Sequence, residues 1–124
     1  MLQDRNAVAN IAVRDMNVAR EFYQAKLGLT PVFENPEMTV FKSGQSTINV
    51  YRSEYAGTNK ATAVTWDVGS DMENVVRDLK SKGIGFERYD MPGMKQEGDV
   101  YVADGMKVAW FKDPDGNILN IINQ

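Results

Sequence analysis

Two stretches of this chain carry one pattern. Residues 108–122 read Val-Ala-Trp-Phe-Lys-Asp-Pro-Asp-Gly-Asn-Ile-Leu-Asn-Ile-Ile, and residues 41–50 read Phe-Lys-Ser-Gly-Gln-Ser-Thr-Ile-Asn-Val. Each runs Phe-Lys, a glycine turn, then an asparagine between apolar residues. Aromatic and β-branched residues on both sides of a tight turn fit the pleated, half-buried surface of a hairpin. In the later copy Pro114 presets φ for the turn, and Gly116 accepts a positive φ that a Cβ would penalise. A chain that carries one hairpin twice is constrained to a duplicated fold. The pairing sets Asn49 against Asn120.

The flanking sequence repeats too. Residues 7–13 form an apolar run with one polar member, Asn10, and predict a strand. Asp15 offers an N-cap to a helix over 17–27 whose stripe is Val18, Phe22, Ala25 and Leu29, with Gly28 as its stop. Strands at 31–34, 38–42 and 46–51 complete a first β-α-β-β-β module over residues 5–52. After a polar linker the order restarts: a strand at 61–68, Asp71-Met72 echoing Asp15-Met16, and a helix with the stripe Met72, Val75, Val76 and Leu79 ended by Gly83. Strands at 85–88, at 100–102 running into 106–112, and at 117–122 finish a second module over residues 61–124. Residues 89–99 have no counterpart in the first module. With 124 residues the two modules make one domain, and duplication of this kind implies pseudo-two-fold symmetry with a cleft where the copies meet.

Composition narrows the chemistry. Fourteen basic against 17 acidic residues give a net charge of −3, which with no Lys/Arg cluster argues against nucleic acid as a partner. There is no cysteine and no histidine, so thiolate chemistry, disulfides and the commonest metal ligand and general base are missing. No apolar run approaches the roughly 18 residues of a membrane span, and the first residues lack signal-peptide character, so a cytoplasmic protein is expected.

Several of these motifs together resemble the vicinal oxygen chelate superfamily, which includes glyoxalase I, extradiol dioxygenases and bleomycin-resistance proteins. The residues that carry the resemblance are Val13-Arg14-Asp15-Met16 leading to Glu21-Phe22-Tyr23 and Leu27-Gly28-Leu29, the restart at Trp66-Asp67-Val68 with Leu79-Lys80 and Gly83, and Asp113-Pro114-Asp115-Gly116-Asn117. The resemblance implies an α+β fold in which two βαβββ modules form a curved mixed sheet around a central cleft, with helices on the outer face. It also implies a homodimer. Metal-dependent relatives take one ligand from the first and one from the last strand of each module. The matching positions here are Val8, Asn49, Ala63 and Asn120. Two of these carry no donor atom and two are neutral carboxamides, which do not offset the dehydration of a divalent cation. No metal and no cofactor are expected.

Strand alternation sorts the side chains that a ligand would meet. If position 8 faces the cleft, so do Asn10 and Ala12, while Ile11 and Val13 face the helices. By the same rule Thr65 and Asp67 face inward and Trp66 packs beneath the helix; Thr47, Asn49 and Tyr51 share one face, as do Ile118, Asn120 and Ile122. Trp110 and Phe111 must lie on opposite faces, and the sequence leaves open which lines the cleft. In the segment 89–99, Tyr89, Met91 and Met94 offer adaptable apolar contacts as a lid or a plain surface loop, and Glu97 and Asp99 are carboxylates placed to meet a cation or a proton. The candidate ligand-binding set is therefore Asn10, Asn49, Tyr51, Thr65, Asp67, Tyr89, Met91, Met94, Trp110 and Asn120. Each amide has a plainer reading, in which Asn49 and Asn120 satisfy each other or a buried water.

Three functions compete at this point. The first is a metal-independent protein that binds a small, partly hydrophobic molecule. The second is a metal-independent isomerase or lyase in which Asn49 and Asn120 polarise a carbonyl. The third is an interaction module whose cleft is filled by its own side chains.

Overall fold

The computed structural model describes residues 1–123. The chain divides into two compact units, Met1–Thr58 and Asn59–Gln124. The first contains β1 (Ala9–Val13), α1 (Met16–Arg20), β2 (Thr30–Asn35), β3 (Met38–Ser43) and β4 (Ser46–Arg52). The second contains β5 (Thr62–Asp67), α2 (Met72–Ser81), β6 (Lys95–Glu97), β7 (Val100–Ala103), β8 (Met106–Lys112) and β9 (Ile118–Ile122). This is the expected α+β duplication, with the mixed sheet realised as one hydrogen-bonded sheet per unit. The strand orders are β1-β4-β3-β2 and β5-β9-β8-β7-β6. In each unit the first strand runs parallel to the last, and the hairpin strands run antiparallel.

In the first unit Asp15 caps α1 by accepting from the backbone N–H groups of Asn17 and Val18 at 2.8 and 3.2 Å. The chain then widens into a π-helical turn over Glu21–Lys26, closed by the Leu27 N–H on the Phe22 carbonyl. That widening changes which residues face inward. Met16, Ala19, Phe22 and Tyr23 are buried, whereas Val18 is 45% exposed and Ala25 lies outside. The stripe Val18, Phe22, Ala25 and Leu29 is thus corrected at Val18 and Ala25, while Phe22 is buried and Leu29 half-buried. Gly28 ends the helix at φ 77°, a conformation natural to glycine.

Alternation holds along the strands. Ile11, Val13, Thr39, Phe41, Ile48 and Val50 are buried on the helix side, and Tyr23 packs on Phe41 with ring centroids 6.0 Å apart. Removing the Phe41 ring would cost about 3–5 kcal/mol by cavity formation. Arg20 pins the helix to the sheet by donating to Thr39 Oγ1 and to the Asn35 carbonyl, both at 3.1 Å.

The second unit buries Met72, Leu79 and Ile84 with Ala109, Phe111, Leu119 and Ile121. Trp66 stacks on Phe111 at 6.4 Å and Phe86 meets the same ring edge-on at 5.8 Å. The strand expected at 85–88 is not one. Phe86 makes a single bridge to Phe111, and the Glu87 N–H donates to the Trp110 carbonyl at 2.8 Å before the chain departs. The edge of β8 is therefore shared between this bridge and β7, where β2 lines the edge of β3 in the first unit. Residues between them leave the sheet and return as β6, hydrogen-bonded along β7. Part of the segment expected to be a lid or loop is thus an edge strand.

The connection from β8 to β9 is tied internally. Asp113 and Asn117 are both buried, and the Asp113 carboxylate accepts from the Asp115 and Asn117 N–H groups at 3.0 and 2.9 Å and from Asn117 Nδ2 at 2.8 Å. Gly116 completes the turn at φ 90°.

Candidate functional site

Each sheet has a second face, turned away from its helix, and Asn10, Asn49, Tyr51, Thr65, Trp110 and Asn120 divide between these two faces. On the first sheet Asn10, Asn49 and Tyr51 lie together, Asn10 in register with Asn49 and Ala12 with Tyr51. Asn49 Nδ2 donates to Asn10 Oδ1 at 3.2 Å. Asn49 thus finds a partner within its own unit. Tyr51 is 37% exposed on the same face.

The corresponding face of the second sheet is more aromatic. Trp110 lies opposite Asn120 across the β8–β9 pair, and Thr65 lies opposite Asn120 on the other side. Phe111 belongs to the core, which resolves the alternative left open by alternation: Trp110 is the one on the face with Asn120. The indole N–H of Trp110 donates to Thr62 Oγ1 at 3.2 Å, and the rings of Tyr89 and Tyr101 meet Trp110 edge-on, both at 5.5 Å. Tyr101 fastens Tyr89 in turn. Its hydroxyl accepts from the Tyr89 N–H at 2.6 Å and donates to the Tyr89 carbonyl at 2.8 Å. The excursion after Phe86 therefore places Tyr89 against the indole. Met91 and Met94 close the next turn, half-buried, through the Met94 N–H on the Met91 carbonyl.

Two polar atoms in this cluster have no partner among the described residues. Asn120 is only 8% exposed and its Oδ1 accepts nothing, and the buried Tyr89 hydroxyl is likewise unpartnered. Burial, with the Glu87 carboxylate nearby, pushes the Tyr89 phenol above its ordinary range, so it stays protonated. A buried acceptor left without a donor costs roughly 1–3 kcal/mol.

Asp67 and Asp99 serve structural ends. Asp67 accepts from the Gly69 N–H at 3.0 Å at the end of β5. Asp99 is held by Lys80 at 2.7 Å and Arg88 at 3.3 Å, which corrects its reading as a carboxylate waiting for a cation or proton. Glu97 lines a surface depression with Glu73, Val76, Arg77 and Lys80, next to α2 rather than Trp110. Sequence reasoning missed Tyr101 and Thr62. Tyr101 is one apolar member of a Val-Tyr-Val run, and alternation across β7 from Val108 is the signal that would have put it beside Trp110.

A family model described as the Glyoxalase/Bleomycin resistance protein/Dioxygenase superfamily matches residues 6–121. The chain belongs to this superfamily. No curated protein matches the sequence. Among solved structures, a bleomycin-binding protein complexed with bleomycin is similar at 22% identity and a TM-score of 0.71, over 96% of this chain and 98% of that one. The bleomycin resistance determinant encoded on the transposon Tn5 is similar at 22% identity and a TM-score of 0.66, over 96% and 97% of the two chains. A lactoylglutathione lyase from Agrobacterium tumefaciens is similar at 14% identity and a TM-score of 0.69, over 95% and 92%. At these identities the likeness is one of fold.

The metal positions of the glyoxalase-like fold can be tested on the donors themselves. Val8 and Ala63 offer no donor atom, and the Asn49 amide is engaged with Asn10. Among the described residues no three His, Cys, Asp or Glu side chains come together as a metal-binding group. This donor set does not fit a divalent cation. Among the same residues no helix is long and apolar enough to cross a membrane.

Proposed function

We propose that this superfamily member binds a small, partly hydrophobic molecule without a divalent metal, on the face of the second sheet that carries Trp110 and Asn120. The observation that carries the reading is the Asn120 carboxamide, 8% exposed, unpartnered at Oδ1 among the described residues, and set beside an indole that three neighbours hold in place. Apolar rings around a few convergent polar atoms are the usual make-up of a small-molecule site. The likeness in fold to a bleomycin-binding protein supports it. The same reading takes the chain as a homodimer; the half-exposed Val32 and Phe33 on edge strand β2 support that, and light scattering tests it.

A thermal-shift screen of aromatic and cationic compounds, followed by calorimetric titration of those that stabilise the protein, tests the reading. Saturable binding that survives a chelator is expected. Stabilisation by no compound, or only after a divalent metal is added, would refute it.

A further inference from the structure

We infer that the first unit carries a ligand site of its own, an open depression lined by arginines that takes the phosphate of a small phosphate monoester. It lies where the parallel strands β1 and β4 end. Arg14 follows the last residue of β1, and Arg52 closes β4 in register with Val13. Arg20 comes from the end of α1, and Pro36 from the turn between β2 and β3. With Asp15 and Asn17 these residues line a depression of about 460 Å3. That is within the roughly 300–1,000 Å3 of small-molecule sites. The three arginines are far apart in the chain, so no basic run in the sequence announces them. The site does not depend on what the Trp110–Asn120 face binds.

Arg20 is held in place before any ligand arrives. Its Nε donates to the buried Thr39 Oγ1 at 3.1 Å, and its terminal nitrogens donate to the Asn35 carbonyl at 3.1 Å and to Asn17 Oδ1 at 3.5 Å. A guanidinium has five N–H groups, more than these contacts consume, and one already ordered loses little freedom on binding. Arg52 stands at the rim, and its contact with Glu37 at 3.5 Å joins two side chains that are 60% and 66% exposed. Such a pair is weak in water, so an incoming anion displaces it at little cost. Glu34 lies 3.3 Å from Arg20, and Glu34 and Glu37 both sit outside the lining. Asp15 is the lining carboxylate, and its Oδ1 is spent on the Asn17 and Val18 N–H groups, so those amides are not counted toward the ligand. Three cations against one anion leave the lining with a surplus of two positive charges, in a chain whose net charge is −3. That surplus matches the nearly two negative charges of a phosphate monoester at neutral pH. Guanidinium groups fork onto phosphate oxygens in pairs, whereas a carboxylate brings one charge and two oxygens. The depression is larger than a phosphate group, which leaves space for the organic part of the monoester.

Calorimetric titration of the whole protein with inorganic phosphate and with glycerol 3-phosphate, in a phosphate-free buffer of low ionic strength, tests the site. Both are expected to bind saturably at one site per chain, and acetate about ten-fold more weakly. Arg14→Gln and Arg52→Gln alter exposed side chains, and each should weaken glycerol 3-phosphate about ten-fold, with the fold verified by its melting transition. Lys95→Gln removes the same charge from an exposed position on β6 and should leave the affinity unchanged. An equal loss in Lys95→Gln, unchanged affinity in both arginine variants, acetate as tight as phosphate, or saturation by neither probe would overturn the inference. Saturation by inorganic phosphate alone would overturn it too, because the organic part would then have no place.

Discussion

Asn49 donates its side-chain N–H to Asn10 at 3.2 Å across the parallel β1–β4 pair. At the matching register of the β5–β9 pair, Asn120 faces Thr65 and its oxygen has no partner among the described residues. The two hairpins repeat in sequence, yet one asparagine completes a network and its copy leaves one open. A repeated backbone does not fix the polar chemistry laid upon it.

The consequence for stability has opposite signs in the two modules. Asn10→Ala removes the partner of Asn49 and is expected to destabilise by about 0.5–1.5 kcal/mol. Asn120→Leu, similar in volume, removes a buried atom that nothing satisfies, and is expected to be neutral or stabilising. Urea unfolding of both variants checks the contrast; a loss above about 2 kcal/mol in Asn120→Leu would mean the carboxamide is satisfied after all.

Tyr101 acts on the site through Tyr89. Tyr101→Phe keeps the ring against Trp110 and removes both bonds to the Tyr89 backbone. A loss of about 2 kcal/mol is expected, with faster hydrogen exchange at the Tyr89 amide than at the amides of β9.

The turn before β9 is a second stability centre. Asp113→Ala removes the acceptor shared by two backbone N–H groups and the Asn117 amide in a largely buried turn, and about 3 kcal/mol should be lost. Asp15→Ala removes a cap exposed to water and should cost only about 1 kcal/mol. Thermal or urea unfolding ranks the two; equal losses would place Asp113 outside a buried network.

Acid and base should weaken one surface tie between α2 and β8. Lys107 donates to Glu73 at 2.9 Å, and this contact holds Glu73 below its ordinary 4.5 and Lys107 above its ordinary 10.5. The depressed carboxyl stabilises above the unfolded value and loses its contribution as pH falls through the folded one. The raised ammonium stabilises below its unfolded value and loses its contribution as pH rises through the folded one. Nuclear magnetic resonance titration of the Glu73 carboxyl should show its midpoint rise in Lys107→Met. An unchanged midpoint would show that the pair does not form in solution.

Much of this architecture was written locally. Asp15 as cap, Gly28 as stop, the Asp-Pro-Asp-Gly turn and the alternation of Ile48, Asn49 and Val50 each depend on a few neighbouring residues, and so they gave the duplicated module, its strands and the face on which each amide lies. Other features depended on residues far apart in the chain. The π-helical turn that redirects the first stripe, the division of the β8 edge between Phe86 and β7, and the seating of Tyr89 on Trp110 come from packing that no short-range pattern encodes. The pairing of amides belongs with these: a hydrogen bond needs two atoms brought within reach, and only the register of distant strands joined Asn49 to Asn10 and left Asn120 facing Thr65.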